Sequence, residues 1–581
     1  MLTDPPKVKK PYCLIGVSIF AGAIIIALFL WNGYFHEDGY VRIKTETFEI
    51  IGRRLMMQKG EYFTGIFYAH APIFKLPIKA PPLQGIIDAT IWSDGCPNAR
   101  NLGIGQFCTR LNVYRCGPPE NDTLYPVLVY FPGLDFSWQN NAHLDPAVII
   151  PKIACNGLVF VTADYRVGPY GFFTTHDDIA PGNLGLYDTK AALEWVHENI
   201  VYFGGNPSQV TVMGSRLGAD LVSLLSLQPE TAQLFQQSIL ISGSAFVPSL
   251  IVDGAREESA MKKVFDPSKE FAVEIECATA DRWAKGINDS SAIFECIRDL
   301  KDRRIPIAEA VKRMNPRAWI KWPLFVDGKL VKNSSENIQI THKTMPTLIG
   351  LCPANMARKV NLRKEDIFSR LDIVQDLWNL NRSDIYFTHY ADLLSDFKTI
   401  GTEESKQTQL TALVNQVYQD VLQIGPLLKE SYGRAAQGDK VYVFDYSFLQ
   451  SENRLKRDSA LREKRENRIN EPCGLDVLFN KARQEFDESL ADKMAEILTN
   501  FVVKSDPTPR KSVKNSVTWP AFSLATEYYL HIRSSETSFD SITLRQLPYR
   551  ESAEFWLCEL PKKYGKADLC KELSNMNAEN E

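Results

Sequence analysis

The sequence predicts an α/β fold: a mostly parallel central sheet with helices on both faces. The first observation is a series of apolar, β-branched runs that read as buried strands. They are YPVLVYF (125–131), GLVFVTADY (157–165), QVTVMG (209–214), QSILISG (237–243), TMPTLIGL (344–351) and KVYVFDYSF (440–448). The second is what lies between and after them, segments with helical spacing such as LYDTKAALEWVHENI (186–200) and ESLADKMAEILTNFVVK (488–504). Strands that alternate with helices build a parallel sheet covered on both faces. The third is composition: 581 residues, 45% hydrophobic and 23% charged, which is ordinary for a globular chain with a large core.

Charge removes one class of function. A net charge of -4 leaves no basic excess of the kind that binds nucleic acid. The basic run RLKRDSALREKRENR, Arg454 to Arg468, reads as a solvated face rather than a binding patch. No internal repeat is visible, and no cofactor or metal is implied.

The N-terminus predicts a membrane anchor. Residues 11–35, PYCLIGVSIFAGAIIIALFLWNGYF, carry no charge, and about 20 apolar residues suffice to span a bilayer as a helix. Lys7, Lys9 and Lys10 precede this stretch and Glu37 and Asp38 follow it, so the positive flank predicts a type II orientation. Residues 1–10 would then be a cytoplasmic tail, 11–35 a signal-anchor, 36–564 the ectodomain and 565–581 a polar C-terminal tail. A cleaved signal peptide is the competing reading, but cutting after AGA at 21–23 would leave IIIALFLW as a greasy end. Sequons at Asn121, Asn288, Asn333 and Asn381, and ten of the eleven cysteines, lie downstream of the span. That fits an extracellular or lumenal body with disulfides.

The stretch QVTVMGSRLGADLVSLLSL, Gln209 to Leu227, has the outline of a nucleophile elbow. In such an elbow the middle residue of G-x-S-x-G sits on a strained strand-to-helix turn. Gly214 and Gly218 hold the flanks, and Arg216 stands where the serine would be. A guanidinium has no acceptor lone pair and keeps its proton, so it serves as neither nucleophile nor base. Ser215 is one residue early, and on a sharp turn that shift points its side chain elsewhere.

GNLGLYDTKAALEWVHENIVYFGGNPSQVTVMGSRLGA (182–219) resembles the run through the elbow in type B carboxylesterases and cholinesterases. FTGIFYAHAPI, FCTRLNVY, ADYRVGPYGFF, WPLFVDGKL and FWLCELPKK continue the similarity in the family's order. The resemblance implies an α/β-hydrolase fold over nearly everything after the N-terminal stretch. It also fixes the family's slots on this chain. The nucleophile slot is Arg216, and the acid slot in GLCPANM is Asn355. The histidine segment matches NEPCGLDVLF, which puts Glu471 or Cys473 in that slot. The oxyanion loop H-G-G-G-F is replaced by PGLDF, with Gly133 kept and Leu134 and Asp135 substituted; Leu217 follows the apex. On this reading no catalytic triad remains and the chain is a pseudoenzyme; either Asp135 pairs with Arg216 across the dead pocket, or Arg216 points into a water-filled cleft.

The resemblance further implies disulfides Cys96–Cys108 and Cys277–Cys296, and leaves the other cysteines unassigned. The loop 97–107 lacks the Trp that stacks on choline in cholinesterases. A membrane-anchored ectodomain without a triad is similar to the cholinesterase-like adhesion proteins, such as neurotactin, neuroligins and gliotactin. That similarity implies a cell-surface role in adhesion, recognition or signalling with an extracellular protein partner. Several members of that group dimerise through a helix bundle that includes the C-terminal helix, which ESAEFWLCEL with Phe555, Trp556 and Leu560 could supply to a homodimer; packing onto their own domain explains these residues equally. Two alternatives stand beside it: a carboxylic ester hydrolase with an unrecognised nucleophile, and a binding protein of the secretory pathway.

Overall fold

The computed structural model describes residues 39–559 apart from internal segments, the longest being 97–107, 134–143, 253–266, 353–415 and 450–475. One sheet of thirteen strands organises the chain. Its N-terminal part holds β1 (Tyr40–Lys44), β2 (Phe48–Arg54), β3 (Glu61–Phe67), β4 (Gly85–Asp88) and β5 (Arg110–Arg115). The rest are β6 (Tyr125–Phe131), β7 (Val159–Ala163), β8 (Gly205–Ser215), β9 (Gln237–Ile241), β10 (Thr347–Leu351), β11 (Val441–Leu449), β12 (Tyr528–Ser535) and β13 (Ser541–Gln546). The spatial order is β1-β2-β3-β5-β7-β6-β8-β9-β10-β11-β12-β13, with β4 beside β2.

The stretch from β7 to β12 is parallel throughout. The pairings β1-β2, β2-β3, β3-β5, β5-β7 and β12-β13 are antiparallel, while β4 runs parallel to β2. All six apolar runs of the sequence lie in β6 to β11, and both helical segments are helices: α2 (Leu184–Asn199) and α5 (Glu488–Lys504). The flanking antiparallel strands were not anticipated. β4 and β1 are largely exposed, with patterns eeie and eBeie, so the apolar signal that marks a doubly covered strand is weak there.

Side chains alternate between two cores, as period 2 requires. On β6, Val127, Val129 and Phe131 join the larger core, while Leu128 and Tyr130 join the other. The larger core takes α2 and α3 (Leu217–Leu227); the second takes α1 (Pro146–Lys152) and α5. Every residue of β9, β7 and β10 is buried, which is why those strands read as continuous apolar runs.

Three disulfides are complete among the described residues. Cys96–Cys108 and Cys277–Cys296 are as the resemblance implied, and Cys116–Cys155 ties the end of β5 to the turn before β7. Cys352, just past β10, is disulfide-bonded to a cysteine outside the described residues. Near the C-terminus Phe555 and Trp556 are buried, 4% and 1% exposed, and the adjoining Leu557 belongs to the larger core. These two side chains pack into their own chain, and Leu560 lies outside the described residues.

Among the described residues no helix is long and apolar enough to cross a membrane, and residues 11–35 are not among them. Of the sequons, Asn333 is exposed and Asn288 lies in the helix Ile287–Asp299. Asn121 and Asn381 fall outside the described residues.

Candidate active site

The site forms where β8 passes into α3, near the middle of the sheet and at the C-terminal ends of its parallel strands. In open α/β sheets that is where ligands bind. β8 ends at Ser215, and Arg216 turns the chain with φ 50° and ψ -120° before α3 begins at Leu217. That conformation falls outside the allowed regions for a residue with a side chain and costs of order 1–3 kcal/mol. The surroundings enforce it. The Arg216 amide donates to the Ile241 carbonyl at 2.7 Å, and the Arg216 carbonyl accepts from the Asp220 amide at 2.9 Å.

Glycines allow the two layers to meet. A Cβ on Gly218 would lie 2.0 Å from the Phe131 carbonyl oxygen, so α3 rests directly on the end of β6. A Cβ on Gly133 would lie 2.5 Å from the Gly218 nitrogen and 3.1 Å from the Leu217 nitrogen. The oxyanion strand therefore lies against the first amides of α3. Leu217, as the first helical residue, has no intrahelical acceptor for its N–H, and this end of the helix carries the positive pole of the dipole.

Ser215 is half-buried beneath this contact. Its Oγ is 2.9 Å from the Tyr130 hydroxyl and accepts from the Gly133 amide at 3.3 Å. The side chain thus points toward β6 and not to the apex, as its position one residue early implies. Arg216 holds the apex, and Leu217 and Gly133 stand where the slot assignment puts them. Leu134, Asp135, Asn355, Glu471 and Cys473 lie outside the described residues, so the expected pairing of Asp135 with Arg216 is not placed.

His531 is held elsewhere. Its Nδ1 lies 3.0 Å from Asp445 Oδ2 on the neighbouring strand β11. Strands in a sheet are spaced about 4.8 Å apart, so β12, four steps from β8, is roughly 19 Å from the elbow. That separation rules His531 out as the elbow's base.

Beneath α3 runs a buried polar network that sequence reasoning missed. Glu430 on α4 (Gly425–Ala436) accepts from Ser223 Oγ at 2.8 Å and from Ser244 Oγ at 2.6 Å. Arg434, one turn on, donates to Glu430 Oε1 from Nε at 2.9 Å and from Nη2 at 2.7 Å. Both side chains are fully buried. The i, i+4 spacing of the two in KESYGR was the available signal, but it reads equally as a surface pair.

Asp220, in the first turn of α3, accepts from the Ser244 amide at 2.7 Å. Burial pushes its carboxyl well above the usual carboxylate range; the Ser244 hydrogen bond opposes this, and the Glu430 charge adds to the rise. A raised folded value means that the neutral form carries extra stability, present below the ordinary carboxylate pKa of about 3.9 and lost as pH rises through the folded value. Asp220→Asn keeps an acceptor for the Ser244 amide without the charge. Its stability relative to the native chain is expected to grow as pH rises from about 4 toward neutrality, read by urea unfolding at several pH values. A difference that is flat with pH would contradict the assignment.

A parallel sheet whose central strand enters a helix through a strained, glycine-flanked turn, with an oxyanion strand laid against that helix, defines the α/β-hydrolase class. The family model described as Carboxylesterase family matches residues 40–556, and the chain belongs to the carboxylesterase family. Carboxylesterase 5A of Mus musculus is 25% identical to it, over 95% of this chain and 94% of that protein. Pyrethroid hydrolase Ces2e of Rattus norvegicus is 25% identical over 86% of each. Esterase FE4 of Myzus persicae is 30% identical over 53% of this chain and 54% of its own.

These relatives correct the pseudoenzyme reading. They are named as carboxylesterases and hydrolases, and none of them points to adhesion. The reading inferred a missing activity from substituted side chains at the triad slots. Part of the rate enhancement in acyl transfer comes from backbone amides and binding, which survive loss of a triad member and leave roughly 10³–10⁴-fold catalysis over water.

Proposed function

We propose that this protein is a carboxylic ester hydrolase that uses the elbow with a nucleophile other than its apex residue. The observation that supports this reading is the strained elbow itself, φ 50° and ψ -120° at Arg216, with the amides of α3 and Gly133 brought together around it. A protein keeps such strain where the surroundings over-determine it, and such strain clusters at functional sites. The net reaction consumes water and an ester and yields an acid and an alcohol. In it the Leu217 N–H and the helix dipole stabilise the developing oxyanion.

Ser215 Oγ, turned toward β6, is the candidate attacking oxygen: it displaces the alcohol, its proton passes by way of the Tyr130 hydroxyl, 2.9 Å away, to the departing alkoxide, and water then hydrolyses the acyl-serine to the acid. Ser215 Oγ is half-buried and lies at the oxyanion strand, 3.3 Å from the Gly133 amide nitrogen. The test is labelling of the full-length chain with a fluorophosphonate serine probe, followed by peptide mapping. Modification at Ser215 that disappears in Ser215→Ala is the expected result. A chain that takes no label at any serine would argue against this nucleophile.

A further inference from the structure

A second cavity lies away from the elbow, between the C-terminal half of α2 and the start of β2, and encloses about 280 Å³. Its aromatic walls are Phe48, Tyr68, Trp195 and Tyr202, and the strap Ala80–Leu83 with Pro81 and Pro82 closes one side. The Tyr68 hydroxyl donates away to the Asp164 carbonyl at 2.5 Å. Tyr202 stands edge-on to Phe48 with ring centroids 4.9 Å apart. At the rim the Lys79 ammonium donates to the Glu198 carboxylate.

We propose that this cavity binds a small primary ammonium compound with an aromatic or apolar body, whose ammonium takes the place of Lys79 on Glu198. Three features select a cation over an anion. Glu198 and Asn199 are the last two residues of α2, where the helix dipole is negative. A carboxylate there does nothing for the helix, and its field is available to a ligand. Asn199 spends its amide N–H on the Trp195 carbonyl at 3.0 Å, which leaves the side-chain oxygen as a second acceptor at the cavity wall. The four aromatic residues in the lining give an apolar body a matching surface, and aromatic rings are better neighbours for a cation than for an anion.

Lys79 already reports this preference. Its ammonium is held above its ordinary pKa, first by the hydrogen bond to Glu198; loss of hydration opposes this, and the charges of Glu198 and Glu194 add to the rise. The native pair is easily replaced, because Lys79 and Glu198 are 64% and 44% exposed. Exposed ion pairs contribute little, because water screens them.

The test is isothermal titration of the full-length chain with phenethylammonium, phenylacetate and 2-phenylethanol. Phenethylammonium is expected to bind one to one, up to about fivefold more tightly than either control, the range of an ion pair on a half-exposed carboxylate. Lys79→Ala removes the tethered competitor and is expected to tighten binding by about twofold or more; Glu198→Gln is expected to weaken it by up to about fivefold. Both sites are exposed, and a thermal melt checks that each variant is folded. Equal binding of phenylacetate, affinity unchanged in Glu198→Gln, or no binding to Lys79→Ala would each overturn the proposal. Ester turnover read in the same samples is independent of these outcomes, because the cavity and the elbow share no residue.

Discussion

Gly218→Ala is expected to be the most damaging single-methyl change in the protein, preventing accumulation of a folded chain or lowering its stability by about 3 kcal/mol or more. The added Cβ would lie 2.0 Å from the Phe131 carbonyl oxygen and 2.9 Å from its carbonyl carbon. Both are backbone atoms of a central strand, so no side-chain rotation relieves the overlap. α3 would have to lift from β6, and that shift would open the contact on which the oxyanion strand depends. A control separates this from the general cost of losing a glycine. Gly328 has φ 68° and open space around its missing side chain. Gly328→Ala is expected to cost only the left-handed backbone penalty, about 1 kcal/mol. Urea midpoints of the two variants measure the contrast, and equal losses would show that the close approach at Gly218 is not what matters.

The second large effect is expected at Arg434. Removing one member of a buried, hydrogen-bonded ion pair leaves the other charge uncompensated and costs about 3–5 kcal/mol. Arg434→Met leaves Glu430 in a fully buried site with only the Ser223 and Ser244 hydroxyls as donors. Those hydroxyls belong to α3 and to the loop after β9, so the loss also loosens the ground beneath the elbow. Arg434→Met with Glu430→Leu removes both charges and is expected to recover part of the stability. Full recovery is not expected, because Ser223 and Ser244 lose their acceptor. Chemical denaturation of the two variants is the measurement. A single variant as stable as the native chain would refute the network's role.

The parallel half of the sheet was legible because doubly covered strands are continuous apolar runs, and Val159–Ala163 and Thr347–Leu351 are buried at every position. The N-terminal strands were not, because Ile86 on β4 is 74% exposed and breaks the apolar pattern. The elbow was legible at Gly214 and Gly218, whose spacing demands close approach. The contacts of Ser215 were not, since they depend on Tyr130 and Gly133, more than eighty residues earlier in the chain. The Cys116–Cys155 bridge escaped for a similar reason, as counting cysteines cannot pair them. The largest error was chemical. Arg216 removes a nucleophile from the apex, but it removes neither the strained turn nor the amides of α3.

The central claim is that this elbow still supports hydrolysis. Its most direct test is turnover of short-chain acyl esters, such as phenyl acetate and phenyl butyrate, by the full-length chain beside the Ser215→Ala variant. The account predicts catalysis by the native chain above the roughly 10³–10⁴-fold over water that oxyanion amides and binding supply without a nucleophile. It predicts that folded Ser215→Ala loses most of that rate. A folded native chain that hydrolyses none of these esters above the water rate would contradict it.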